Sequence, residues 1–214
     1  KFGGTSVQDS AAINQTVKIV ASRFDRSPTV VVSAMAGVTD ALLRIANLSR
    51  ERRFDDAAAI IDGLRQRHLT TARELLHQSA AHSFEKVAQD IQESLKDLER
   101  LALSVATLGE LTPRTQDAIV SFGERLSSAL VAAALDAGGV AAELVDSREF
   151  IITDDRFTAA APDFPETEAR VRDSLLPAMK SGLVPVAQGF IGSTKGGVTT
   201  TIGRGGSDYS AAII

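Results

Sequence analysis

The first residues of the chain have the types that bind phosphate. Lys1 is followed by Gly3, Gly4 and two hydroxyl residues, Thr5 and Ser6. Glycine lets backbone N–H groups approach a polyanion closely because no Cβ stands in the way, and lysine adds a point charge. We therefore predict that this loop contacts phosphate groups.

A second glycine-rich loop, residues 203–208, also precedes a predicted helix. Arg204 stands between glycines, so its guanidinium is free to hold a carboxylate through two parallel hydrogen bonds. Asp208 falls in the first turn of the helix, where the helix dipole favours negative charge. Neither loop has the spacing of a P-loop or of a dinucleotide-binding fingerprint. Each loop alone is also compatible with a tight turn, but together they indicate two halves of one anion site.

Glu124, Ser33 and Thr39 are further candidates. Glu124 is predicted to lie in the middle of a helix among weakly polar residues, where a carboxylate is costly without a cationic partner. Arg125, Lys1 or the ammonium group of a substrate could be that partner, and an exposed or internally paired glutamate is the alternative. Ser33 and Thr39 flank the turn between a predicted buried strand and a helix. That position favours ligand contact in α/β sheets, although it also suits a helix cap.

The remaining polar side chains are weaker candidates. His68, His77 and His82 have no matching carboxylate, and we expect them to face solvent. Asp154 and Asp155 could bind a metal ion, but a pair solvated in a loop is the simpler interpretation. The sequence therefore predicts no metal site on the protein, and no Ser-His-Asp or Cys-His arrangement is evident.

Composition excludes several classes of function. The chain has 214 residues, which suits one large α/β domain or two small ones. It has no cysteine, so disulfides and thiolate metal sites are ruled out. Its net charge of −4 argues against a nucleic-acid partner. The most apolar run, residues 129–135, is too short to span a bilayer and no signal peptide is visible, so we expect no membrane partner.

The elements that must position these residues alternate between strand and helix. The β-branched run 29–33 predicts a strand buried on both faces, and a glycine turn then leads into a helix over 38–50. Residues 112–139 predict one long helix, which begins at a threonine cap with a following proline and ends at glycines. Further strands are predicted at 140–145, 150–152, 184–190 and 198–202, and further helices at about 9–25, 165–180 and after 207. This rhythm indicates an α/β fold with ligands at the carboxyl ends of the strands.

The alternation of strands and helices is interrupted over residues 54–110. Val87, Ile91, Leu95 and Leu98 recur at helical spacing with charged residues between them. We predict two helices hinged near residues 82–83 and no strand. Since no linker sets this stretch apart, it is an α-helical excursion within one domain.

Five motifs, in this order, resemble those of the aspartokinases. They are residues 1–7, 33–39, 121–124, 188–192 and 203–209. The threonines at 199–201 are most similar to the lysine-sensitive type. The resemblance covers essentially the whole chain and implies the amino-acid-kinase fold, a three-layer α/β arrangement with an open, mainly parallel sheet between helices.

The resemblance implies a reaction and its participants. The γ-phosphoryl group of ATP would pass to the side-chain carboxylate of L-aspartate, giving 4-phospho-L-aspartate, the first step towards lysine, threonine and methionine. Mg²⁺ would be held mainly through the nucleotide. A cytoplasmic enzyme is implied, assembled as a homodimer or a larger oligomer through regulatory domains.

The resemblance also implies roles for individual residues. Lys1 would stabilise the phosphoryl group in transfer, and Asp208 would orient Lys1 or help to organise Mg²⁺ and the attacking carboxylate. Glu124 would bind the substrate ammonium and Arg204 the α-carboxylate. The other implied substrate contacts are Ser33, Thr39, Phe190, Gly205, Gly206 and Ser207. The implied ATP-binding residues are Lys1, Gly3, Gly4, Thr5 and Ser6.

The chain also departs from the family pattern. The strand expected before Lys1 is missing, and so are the nucleotide motif and regulatory domains expected after residue 214. We therefore expect residues 1–214 to be part of a catalytic domain and nearly inactive alone. The alternatives are a kinase for glutamate, acetylglutamate, carbamate or a nucleoside monophosphate, or a kinase-like module without activity. The presence of Glu124 with Arg204 favours a free α-amino acid as the substrate.

Overall fold

The computed structural model describes residues 1–76, 81–203 and 205–214, without the side chains of residues 81–83. The helices are Ser10–Ala21 (α1), Val38–Arg50 (α2), Phe54–Leu76 (α3), Ala81–Leu108 (α4), Pro113–Val120 (α5), Phe122–Ala137 (α6), Phe164–Lys180 (α7) and Gly206–Ile213 (α8). The strands are Val30–Val32 (β1), Ala142–Val145 (β2), Ile152–Thr153 (β3), Val184–Gln188 (β4), Ile191–Thr194 (β5) and Thr199–Thr201 (β6).

Three parallel strands form the first sheet, in the order β1-β4-β2. Every residue of β1 and β4 is buried, so both faces of this part of the sheet are covered. Helices α6 and α7 both pack against β4. A run of buried β-branched residues therefore forms a strand at the centre of an α/β layer, as the sequence predicts.

The start of the chain lies against β1. The N–H of Phe2 donates to the carbonyl oxygen of Val31, and its own carbonyl accepts from the N–H of Ser33. Phe2 thus makes a parallel bridge beside β1. This pairing holds Lys1 close to the carboxyl end of that strand.

A second sheet has the order β3-β5-β6 and mixes parallel and antiparallel pairing. β5 and β6 form a hairpin in which Ile191 lies opposite Thr201. The sequence predicts one strand over 184–190, but the structure ends β4 at Gln188 and starts β5 at Ile191. The predicted strand at 150–152 is in fact only two residues long, Ile152–Thr153.

The fold is therefore the mainly parallel α/β fold with helices on its sheet that the sequence predicts. The long helices α3 and α4 pack on each other and on α2, and both also contact α6. Their interface is aliphatic, with Ile61, Ile91, Leu95 and Leu98 buried. This helical layer joins the sheet through α6, so the core is continuous.

Two sequence predictions in the helical regions are wrong. The helix predicted over 112–139 is broken at Ser121, whose hydroxyl donates to the carbonyl of Ala118 and so competes with the helical backbone bonds. His68 does not face solvent but is fully buried on α3. Helix α7 contains Pro177 and continues past it to Lys180. His77 and the side chain of His82 lie outside the described residues.

The helical stretch Pro113–Ala137 has the length and apolarity of a membrane span. However, 72% of its most apolar window is buried inside the protein. The core helix of a soluble protein passes the same test of length and composition, so the stretch is weak evidence for a membrane span.

Candidate active site

A cavity of about 380 Å³ lies at the carboxyl ends of β1 and β4. It brings both glycine-rich loops together with the turn after β1 and with Glu124. Of the residues predicted to form the site, those that line it are Lys1, Gly4, Ser33, Thr39, Glu124, Phe190, Gly205, Gly206, Ser207 and Asp208. Residues far apart in the sequence thus share one cleft where an open α/β sheet binds its ligands.

The helices that reach the cavity begin without side-chain caps. The residues at the N-cap positions of α2, α6 and α8, which are Gly37, Ser121 and Gly205, provide no side-chain hydrogen bond to the first turn. Helices α1, α5 and α7 begin elsewhere, and each is capped by a side chain, from Asp9, Thr112 and Asp163 respectively. Uncapped N–H groups and the positive ends of helix dipoles make such a cleft suited to phosphate.

Lys1 supplies a full positive charge at the same place. Its Nζ lies 2.9 Å from Oδ1 of Asp208, in the first turn of α8. The lysine side chain is 22% exposed and the aspartate side chain 78%. This ion pair connects the first glycine-rich loop to the last helix and aims the ammonium group into the cavity.

Glu124 lies in the first turn of α6, not in the middle of a helix as predicted. Its Oε1 accepts a hydrogen bond of 3.1 Å from the N–H of Ala34, while Oε2 is buried and has no partner among the described residues. Burial raises the pKa of this carboxyl from 4.5 to about 7, against the lowering effect of the Ala34 bond. A buried carboxylate oxygen without a partner, beside a cavity, suits a cationic ligand.

Two glycines allow the site elements to approach closely. A Cβ on Gly123 would lie 2.8 Å from that of Ala34, so only glycine lets α6 begin directly against the end of β1. A Cβ on Gly189 would lie 2.6 Å from that of Ser207. Glycine at 189 therefore lets the first turn of α8 rest on the end of β4.

Phe190 has a strained backbone at the cavity wall. Its φ angle is +68°, in the left-handed region that a bulky residue rarely adopts. Ser210 holds it there, because its hydroxyl accepts a hydrogen bond from the N–H of Phe190 while donating to the carbonyl of Gly206. Such strain is typical of functional sites.

Some predicted residues lie elsewhere. Gly3, Thr5 and Ser6 do not line the cavity, and Thr5 is exposed. Arg204 lies outside the described residues. Arg125 does not pair with Glu124, since its guanidinium stacks on the ring of Phe122 and lines another cavity.

Asp117 is a buried carboxylate that sequence reasoning missed; it does not line the cavity but supports a strand that leads to it. It is fully buried on α5, and its carboxylate accepts hydrogen bonds from the N–H of Thr158, the N–H of Thr201 and the hydroxyl of Thr201. These bonds fix β6 just before the loop that begins at Gly203. In the single helix that the sequence predicts over 112–139, Asp117 would lie seven residues before Glu124 and on the same face, which is a signal that could have revealed it.

The donor set of the cavity suits phosphates better than a metal ion. The described residues contain no group of three or more histidine or carboxylate side chains that could hold a metal ion. Nucleotide phosphates would instead find Lys1 and the uncapped N–H groups of α2 and α8. Mg²⁺ at this site would therefore have to be bound mainly by the nucleotide.

Comparison with known proteins agrees with this arrangement. A model of the amino acid kinase family matches residues 1–214. The chain belongs to the amino acid kinase family.

Among curated members of this family, the lysine-sensitive aspartokinase 3 of Escherichia coli is 36% identical over 215 residues, and the aspartokinase of Chlamydia trachomatis is 34% identical over 214. The matches cover all of this chain but only 45% and 44% of those two proteins. The chain thus spans less than half the length of the curated relatives it matches.

Solved structures show the same fold. Escherichia coli aspartokinase III in complex with aspartate and ADP superposes with a TM-score of 0.86 at 36% identity, covering 99% of this chain and 44% of that one. The complex of the same enzyme with lysine and aspartate also gives a TM-score of 0.86. The amino-acid-kinase fold is confirmed by these neighbours.

Proposed function

We propose that the protein containing this chain is an aspartate kinase, which transfers the γ-phosphoryl group of ATP to the side-chain carboxylate of L-aspartate. The relatives named aspartokinase and the solved complex with aspartate and ADP support this substrate pair. The product, 4-phospho-L-aspartate, would enter the synthesis of lysine, threonine and methionine.

The observation that carries the proposal is the unpaired Oε2 of Glu124. Glu124 lines the cavity, and its buried Oε2 has no partner in the described part of the chain. A substrate with an ammonium group satisfies it through a charge-assisted hydrogen bond, whereas carbamate or a nucleoside monophosphate has no such group to offer. Glu124 therefore favours a free α-amino acid.

Lys1 and the helix N-termini would donate hydrogen bonds to the oxygens of the transferred phosphoryl group. When bound, ATP supplies the γ-phosphoryl, which forms a bond to a carboxylate oxygen of aspartate as its bond to the β–γ bridging oxygen breaks and ADP leaves. Charge spreads over the phosphoryl oxygens during this step, so donors placed in advance lower the barrier. Lys1 lies at the cavity for this purpose, with Asp208 holding its ammonium group in position.

The remaining substrate contacts are also proposals. Ser33, Thr39 and Ser207 line the cavity with hydroxyl groups that can bond carboxylate or phosphate oxygens, and Phe190 provides an apolar wall. The α-carboxylate of aspartate requires a cation, and Arg204 in the adjacent loop has the fork geometry for it. Gly205 and Gly206 would let the ligand approach that loop closely.

The aspartokinase relatives also suggest how the intact protein is organised. We propose that residues 1–214 form part of a catalytic domain, in which residues 54–110 are a helical excursion, within a longer cytoplasmic protein that assembles as a homodimer or a larger oligomer. Activity would then belong to the intact protein.

A substrate panel tests the proposed reaction. The intact protein is incubated with MgATP and, in turn, aspartate, glutamate, acetylglutamate, carbamate or UMP, and the acyl phosphate is trapped with hydroxylamine. Aspartate is expected to give the hydroxamate at the highest rate, with equimolar ADP. Turnover of glutamate or acetylglutamate in preference to aspartate would contradict the proposal, and so would the absence of turnover with every acceptor.

A further inference from the structure

A second polar cavity, of about 490 Å³, lies beside α6 and is separate from the candidate active site. Its walls come from α4, α5, α6, the turn after β2 and the strand β6. We call it the arginine pocket because its charged lining consists of Arg100, Arg125, Arg148 and Asp97. The two cavities share no lining residue, although Glu124 and Arg125 are neighbours on α6.

Two of the three arginines are already neutralised. Arg148 makes a forked contact with both carboxylate oxygens of Asp146, through Nε at 2.9 and 3.1 Å and through Nη2 at 2.5 Å. Nη1 of Arg148 also lies 3.5 Å from the hydroxyl of Thr199. Arg100 lies 2.7 Å from Asp97. Three guanidinium groups thus meet two carboxylates in direct contact, while Glu149 adds a more distant negative charge near Arg148, and Asp146 and Asp97 act on Arg125 only from a distance.

Of the three arginines, Arg125 is the one that no described carboxylate contacts directly. Its guanidinium makes no hydrogen bond or ion pair with any described residue. Its Cζ lies 4.5 Å from the centre of the Phe122 ring. The side chain is only partly exposed, and both burial and the neighbouring charge of Arg148 lower its pKa. A partly buried cation without an acceptor is costly, and an anion would offset this cost.

The contact with the face of the Phe122 ring also restrains the guanidinium. A planar fork held in this way presents parallel N–H groups, which match two oxygens of a phosphate or a carboxylate. The volume of the pocket lies in the range of small-molecule sites and exceeds what a bare ion fills. From these observations we infer that the arginine pocket binds a small oxyanion, a phosphomonoester or a carboxylate, with Arg125 as its principal contact.

The inference is tested by anion binding to the intact protein. Inorganic phosphate and succinate are each titrated against chloride at constant ionic strength, and the thermal unfolding midpoint is followed. A ligand that binds only the folded state raises the midpoint in a saturable way. We expect this for phosphate or succinate, and the more effective of the two identifies the class of oxyanion.

Variants locate the binding. Arg125→Leu should weaken binding at least about tenfold, because it removes a charge-assisted fork. Arg172→Leu removes the same charge from an exposed arginine on α7 and should leave the affinity unchanged. Arg125→Lys keeps the charge but loses the fork, so it should give an intermediate affinity, and it serves as the test if Arg125→Leu does not fold.

The unfolding midpoint without added oxyanion gives a second readout. Removing an unpaired, partly buried cation should leave Arg125→Leu at least as stable as the unsubstituted protein in chloride. The inference is overturned if neither anion raises the midpoint in a saturable way, or if Arg125→Leu retains the affinity of the unsubstituted protein. Equal loss of affinity in Arg125→Leu and Arg172→Leu would also overturn it, since that result indicates screening by net charge alone.

Discussion

The candidate active site and the helical layer formed by α3 and α4 are built in opposite ways. At the site, helix N-termini are uncapped, Glu124 holds a buried oxygen without a partner, and Phe190 has a left-handed backbone. In the layer, aliphatic side chains such as Leu95 and Leu98 are completely buried against regular helices. The layer therefore supplies stability, whereas the site retains groups that cost stability and that a ligand satisfies.

The sharpest test of this contrast is the substitution Lys1→Ala in the intact protein. It removes the only charge that we assign to the phosphoryl group, so the turnover number should fall by about a thousandfold, as for the loss of other transition-state donors. Aspartate affinity and the unfolding midpoint should change little. Steady-state kinetics and calorimetry measure the two effects, and a large loss of aspartate affinity would contradict the assignment.

The opposite pattern is expected for Leu95→Ala in the helical layer. Truncating this fully buried side chain should lower the free energy of unfolding by about 3 kcal/mol through lost burial and a residual cavity. The aspartate KM of the folded protein should stay the same. Leu103→Ala is the matched control on the same helix, because Leu103 is 49% exposed. Equal destabilisation by both variants would show that α4 does not pack as described.

The layer contains one group that makes it sensitive to acid. His68 is fully buried, its Nδ1 lies 2.7 Å from the carbonyl of Leu64, and its Nε2 has no partner within the described ranges. Burial lowers the pKa of its ring from 6.5 to about 4. The folded state therefore keeps this ring neutral at a pH where the unfolded chain already binds the proton.

Because the pKa of His68 is lower in the folded state than in the unfolded chain, acid favours unfolding. Burial of His68 leaves the free energy of unfolding unaffected well above pH 6.5 and lowers it as the pH falls towards 4, by about 2 to 3 kcal/mol between pH 7 and 4.5. Denaturant unfolding at the two pH values should show this loss in the unsubstituted protein, and a smaller loss by that amount in His68→Leu. Parallel pH profiles for the two proteins would contradict burial of a neutral His68.

A smaller effect, on binding alone, is expected for Glu124→Gln. The amide oxygen can still accept from the N–H of Ala34, but the charge that faces the substrate ammonium is lost. Aspartate affinity should fall by about thirtyfold, equivalent to about 2 kcal/mol. Stability at pH 8 should not fall, because the buried charge is removed as well. A variant with unchanged aspartate affinity would exclude Glu124 as the ammonium acceptor.

Local rules in the sequence predict much of the fold. The bounds of α2, residues 38–50, follow directly from a glycine turn and the apolar periodicity. The two glycine-rich loops are recognisable as a pair, because each combines glycines with a cation and hydroxyl residues, a composition typical of anion-binding loops. The buried strands β1 and β4 follow from unbroken apolar runs.

Other features depend on contacts that a linear sequence does not reveal. The break at Ser121 has no proline to mark it, and it accompanies the close packing of Gly123 on Ala34, a contact that the sequence does not reveal. The strands β4 and β5 are separated at Phe190, whose left-handed backbone interrupts the extended chain. The burial of His68 was predictable in principle, since it continues the helical spacing of Ile61 and Leu64, but the absence of a carboxylate partner favoured the wrong interpretation.

Glu124, as the acceptor of the substrate ammonium group, is the residue on which the proposed function chiefly depends. With a pKa of about 7, this carboxyl is partly protonated in the free protein at pH 7. An ammonium group beside it favours the ionised form, so aspartate binding should release part of a proton and should tighten as the pH rises through 7.

Titration calorimetry with aspartate at pH 7, in two buffers of different ionisation enthalpy, measures this release directly. We expect a buffer-dependent binding enthalpy that corresponds to a fraction of a proton released in the unsubstituted protein and none in Glu124→Gln. Buffer-independent enthalpies in the unsubstituted protein, or the same proton release in Glu124→Gln, would contradict the central claim.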